Sequence, residues 1–167
     1  MRKKPWAWIG IGRKSALLIC IWALLSVAVM ATADDAPSRS QGQTVYVPIY
    51  SHIYAGDREK NPVYLAATLS IRNTDPQQSI TVVKADYNDS NGHLIKNYIQ
   101  SPVTLIALSS THFVIKESDK TGGPGAHFIV QWTAAQPTNP ALVESVMIST
   151  RSAQGISFTS RGQVIEP

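Results

Sequence analysis

From Leu65 to Arg72 the chain alternates: Leu65, Ala67, Leu69 and Ile71 are interleaved with Ala66, Thr68, Ser70 and Arg72. A two-residue period places the first set on one face of an extended chain, because successive side chains of a strand point to opposite sides. The same period recurs where Val45, Val47 and Ile49 alternate with Tyr46, Pro48 and Tyr50. Ile80 and Val82 hand the apolar phase to Val83, Ala85 and Tyr87, a switch that a bulge produces. Further strands are expected over Leu94–Ile99, Val103–Leu108, His112–Lys116, His127–Trp132, Val143–Thr150 and Ile156–Ser160.

Beyond residue 33, no stretch sustains the i, i+3, i+4, i+7 apolar spacing of an amphipathic helix. Short strands at a spacing of roughly ten residues therefore predict an all-β protein, an antiparallel two-sheet sandwich. An immunoglobulin-like arrangement is expected, although the Cys…Trp…Cys pattern of antibody domains is missing. Asp89-Ser90-Asn91-Gly92 reads as a hairpin turn, since Asn and Gly tolerate positive φ. Asn73-Thr74-Asp75-Pro76 and Gly122-Gly123-Pro124-Gly125 read as breakers, the second as a mobile hairpin loop joining the strands that carry Val114 and Phe128.

The first 33 residues follow different rules. Arg2, Lys3, Lys4, Arg13 and Lys14 precede an apolar run from Ala16 to Met30, and Ala31-Thr32-Ala33 closes it. A basic segment, an apolar core and a small-x-small end describe a cleavable signal-peptide helix. The run is shorter than the ~20 residues of a spanning helix, so no stable membrane span is expected after cleavage. The domain plan is therefore a signal peptide over 1–33, a flexible lead-in over 34–42 and a single β-sandwich domain over 43–167. Cleavage removes five of the 15 basic residues and none of the 11 acids, so the exported chain carries a net charge of −1. Without a basic stripe, nucleic acid is not an expected partner. The only cysteine, Cys20, leaves with the leader, and with it any disulfide or thiol nucleophile.

The segments Thr44–Gly56 (TVYVPIYSHIYAG), Ala67–Pro76 (ATLSIRNTDP), Ser110–Phe128 (STHFVIKESDKTGGPGAHF) and Gln154–Gly162 (QGISFTSRG) occur in this order in the chain. They resemble a family of secreted bacterial proteins catalogued as domain of unknown function 3124. The similarity runs from Gln43 to Ile165. It implies a secreted bacterial domain and supplies no activity. The family pattern has Asn after Gly-Ala where this chain has His127, a departure that counts against a role requiring that histidine.

Chemistry-bearing patterns are sparse. His52, His93, His112 and His127 show no ligand-pair spacing, so no metal site and no cofactor are expected. A calcium loop counted back from Gly92 would need carboxylates where Tyr87 and Tyr98 stand. There is no G-x-S-x-G or S-x-x-K, and the Gly-rich loop lacks the G-K-[ST] of a phosphate cradle. No catalytic residue is assigned.

Two surfaces are candidates for binding. Were the first strand to continue to Tyr54, one face would carry Tyr46, Pro48, Tyr50, His52 and Tyr54, an aromatic stripe suited to sugar rings or a peptide. Solvated tyrosines on an edge strand marked by Pro48 explain the same residues. The second surface is Arg151 with Arg161, which could hold a carboxylate or phosphate.

The expected function is a non-catalytic periplasmic binding or assembly module, its partner a periplasmic protein or an envelope glycan. The alternative is a small periplasmic hydrolase or metal-handling protein that joins His112 or His127 to Asp119 or Glu117. Mass spectrometry of the exported protein is expected to give a chain beginning at Asp34; an intact mass that includes residues 1–33 contradicts the leader.

Overall fold

The computed structural model describes residues 38–54, 60–150 and 155–167. The leader and Arg151 lie outside the described residues. Twelve strands occur among those described: β1 (Ser40–Pro48), β2 (His52–Ile53), β3 (Val63–Tyr64), β4 (Ala66–Arg72), β5 (Ile80–Asn88), β6 (Leu94–Asn97), β7 (Val103–Leu105), β8 (Ser110–Ile115), β9 (His127–Thr138), β10 (Leu142–Ser149), β11 (Ile156–Arg161) and β12 (Gln163–Glu166). No helix is found among these residues. The protein is all-β, with several antiparallel sheets. The larger runs β12-β1-β9-β5-β6, with β7 also on β5; the second runs β11-β10-β4-β8; β2 and β3 form a two-stranded ribbon.

The alternation dictates how the two large sheets meet. Leu65, Leu69 and Ile71 have no solvent exposure and join one apolar cluster with Val47, Val82, Phe128, Val130, Trp132 and Met147. Fully burying a side chain of this size contributes about 1.5–3 kcal/mol, so a slip of one residue in β4 would forfeit several such contributions at once. Both β4 and β10 keep the phase: Val143, Ser145, Met147 and Ser149 face inward. Ser145 is buried among apolar neighbours because its hydroxyl donates across to the Pro48 carbonyl in the other sheet. The phase switch in β5 is a break in register against β9 between Val82 and Lys84. The Asn91-Gly92 turn joins β5 to β6, with Gly92 at φ 84°.

Three expectations need correcting. β1 begins at Ser40, so Ser40–Gly42 pairs with β9 instead of belonging to a lead-in. The strand breaks after Pro48, and His52–Ile53 turns away to pair with Val63–Tyr64. Finally, β8 and β9 are not a hairpin: β8 pairs β4, while β9 lies between β1 and β5. The segment from Glu117 to Ala126 crosses from one sheet to the other and is pinned there, with Ser90 Oγ donating to the Gly122 carbonyl and accepting from Gly125 N–H, both at 3.0 Å.

A buried polar knot fixes one end of the molecule. Asn73 Nδ2 faces three carbonyls, those of Gln78, Leu105 and Ile106, at 2.8–3.2 Å. Its Oδ1 accepts from Asp75 N–H at 3.0 Å. Asp75 is only 1% exposed. Its carboxylate accepts from the N–H groups of Gln77, Gln78 and Asn139 at 2.8–3.0 Å, and its carbonyl accepts from Leu108 N–H. The knot thereby holds the β7–β8 turn in a conformation where Leu108 takes φ 59°, a left-handed region that costs a non-glycine residue about 1–3 kcal/mol. In that turn Ile106 and Leu108 are 68% and 69% exposed.

The N–H donors, Gln77 first and then Asn139 and Gln78, hold the Asp75 carboxyl below its ordinary value of 3.8 despite desolvation, and the Arg39 charge adds to this. The unfolded chain therefore takes up this proton at a higher pH than the folded one. Stability from Asp75 is complete above the ordinary value and drains as pH falls through the lower folded value. Urea unfolding followed from about pH 6 to about pH 2 is expected to show this loss, and Asp75→Asn is expected to lower stability at neutral pH while removing that part of the acid slope.

Candidate functional site

A surface groove forms where the chain changes sheets. Arg161 ends β11, paired to β10, and Gln163 begins β12, paired to β1. Only Gly162 separates them, its N–H donating to the Val143 carbonyl at 2.8 Å. A Cβ at this position would lie 2.6 Å from Val45 Cγ1 and 3.0 Å from the Val143 carbonyl oxygen. The crossing is thus tight enough to require glycine. Past the crossing β12 follows β1, and a groove of about 440 Å³ opens between it and the start of β10.

Most of the groove wall is aliphatic: Val45, Pro140, Ala141, Leu142, Val143 and Val164. Its polar lining comes from Gln43, Thr74, Asn139 and Arg161. The knot shapes one wall, because Asp75 holds Asn139 N–H and Thr74 Oγ1 donates to the Pro140 carbonyl at 2.8 Å. Gln43 Oε1 is shielded from solvent and has no partner among the described residues. Glu144 lies opposite Arg161 in the register, yet its carboxylate meets Arg72 Nε at 3.5 Å instead. Arg161 is exposed and makes no ion pair among the described residues.

The aromatic residues singled out from the sequence do not form one stripe, because the strand that would carry them ends at Pro48. Tyr46 stacks on His127, with centroids 4.6 Å apart and planes 23° from parallel. Tyr50 packs edge-on against Phe158 at 5.6 Å and leans on the core. His52 and Tyr54 do come together, in the ribbon beyond the far end of β1 from the groove, with ring centroids 5.3 Å apart. Tyr64 approaches the same His52 ring at 5.9 Å, and Lys120 Nζ lies 4.3 Å over the Tyr64 ring.

The hydrogen bonds at His52 fix its tautomer. Ser51 Oγ has one proton, which it donates to the Gly123 carbonyl at 3.1 Å. Toward His52 Nδ1, 3.0 Å away, it therefore accepts. Neutral His52 is then protonated on Nδ1, and its Nε2 accepts from the Tyr54 hydroxyl at 3.2 Å. The lone pair a general base would use is already engaged. This cluster holds Tyr54 in place, half exposed, and presents rings and one cation.

The two histidines of the alternative reading lie in different sheets. His112 stands exposed on β8 in the four-stranded sheet, and His127 lies on β9 in the six-stranded one. Asp119 accepts from Thr121 N–H and Oγ1. Among the described residues no group of three or more His, Cys, Asp or Glu is placed to hold a metal ion. Sequence reading missed Asn73, Asp75, Gln43, Tyr64, Lys120 and Val164. An N-T-D-P segment looks like any turn, and Tyr64 and Lys120 come from separate segments, the ribbon and the crossing between sheets.

A family model described as "Protein of unknown function (DUF3124)" matches residues 42–165. The chain belongs to that family. The DUF3124 match spans the groove, the knot and the aromatic cluster, and brings no activity with it. No curated protein matches the chain significantly. Among solved structures it is similar to the crystal structure of Thermotoga maritima 1070, at 11% identity and a TM-score of 0.42, over 78% of this chain and 97% of that one. A likeness at that level carries no argument.

An exposed cation without an ion pair contributes little to folding. Arg161→Ala is expected to change the unfolding free energy by no more than about 0.5 kcal/mol, measured by urea titration. A larger loss would mean that Arg161 holds the crossing together.

Proposed function

We propose that this protein is exported by a cleaved signal-peptide helix to the periplasm, where an immunoglobulin-like sandwich binds a partner without transforming it. The groove beside Gly162 carries this reading. It combines an aliphatic wall with an exposed guanidinium that has no ion pair among the described residues. Binding pockets commonly have this make-up, an apolar lining with a few placed polar groups. No histidine, cysteine or carboxylate lines it, so its own residues offer no nucleophile–base pair. The basic–apolar–small order of residues 1–33 supports export. Two antiparallel sheets sharing one apolar cluster support the sandwich. A periplasmic protein or envelope glycan would find a second surface in the Tyr54, Tyr64 and His52 rings.

Val164 is 42% exposed on an edge strand, so a larger side chain there can fill the groove while leaving the core alone. The wild-type protein is expected to capture a molecule from periplasmic extract, and Val164→Trp to keep the wild-type melting temperature and lose that capture. If the variant keeps that molecule, the groove is not the site.

A further inference from the structure

The wall of the groove narrows what it can hold. Its apolar residues are aliphatic, with no aromatic ring among them, so a sugar would find no stacking platform. A flexible hydrocarbon fits such a wall, because the lining residues Val45 and Val143 also belong to the apolar cluster between the sheets. One end of that hydrocarbon has to suit a cation. Arg161 is the only charged residue in the lining, and its cross-strand neighbour Glu144 is engaged by Arg72. One guanidinium balances one negative charge and matches a carboxylate's two oxygens bidentately. A phosphate dianion would need a second cation, which the lining lacks.

We propose that the groove binds an aliphatic monocarboxylate, its chain between β12 and the start of β10 and its carboxylate on Arg161. This rests on the groove being the binding site and names the class of its occupant.

The test is isothermal titration of the purified protein with hexanoate, octanoate and decanoate, and with octan-1-ol. Each added methylene is expected to tighten binding about fourfold until the groove is full. Octanoate is expected to bind at least about tenfold more tightly than octan-1-ol, as loss of a charged hydrogen bond implies. Arg161→Gln should bind the acid and the alcohol alike, while Val164→Trp should bind neither.

Affinity independent of chain length, or an Arg161→Gln variant that still prefers the acid, would overturn the proposal. Should Val164→Trp lose the captured molecule while none of the three acids binds the wild type, the groove remains a binding site and the aliphatic class is wrong.

Discussion

A carboxylate with almost no access to water sits at one end of this protein and is tolerated because the backbone supplies what water would have. Asp75 receives three N–H groups, two from its own loop and one from Asn139, and Asn73 beside it reaches three carbonyls. Between them they tie the ends of β4, β7 and β9 to one another. Leaving any of these groups unpaired would cost about 1–3 kcal/mol, so the loops settle together or not at all. The strained Leu108 backbone and the Thr74–Pro140 wall of the groove both depend on this knot.

Much of the sheet structure was legible because burial on one face enforces a period that a reader can count. Leu65, Leu69 and Ile71, the bulge near Val83 and the Asn91-Gly92 hairpin all follow from local rules that tertiary packing left intact. Pairing partners were not legible. Nothing local tells β8 to choose β4 over β9, and a Gly-rich connection suits a crossing between sheets as well as a hairpin. β12 escaped notice because all four of its residues are exposed, so neither face imposes a period.

The site was harder to read than the fold. Arg161 was picked out, but its significance depends on Glu144 being occupied by Arg72 two strands away, which spacing does not encode. The tyrosines were picked out as a stripe on the assumption that one strand ran through Pro48. The strand ends at Pro48, Ile49 N–H still donates to the Ala126 carbonyl, and by His52–Ile53 the chain has turned to pair with Val63–Tyr64. Half of the expected face thus became a stack with His127 and a contact with Phe158, and the remainder gathered around His52.

β1 is flanked by β9 on one side and β12 on the other, with Thr44 opposite Glu166. The first described strand of the larger sheet therefore finds its second neighbour far along the chain. Contacts so distant along the chain slow folding, since the loop between them must close before any reward is gained. A pairing of that span therefore governs how late the larger sheet gains its outermost strand.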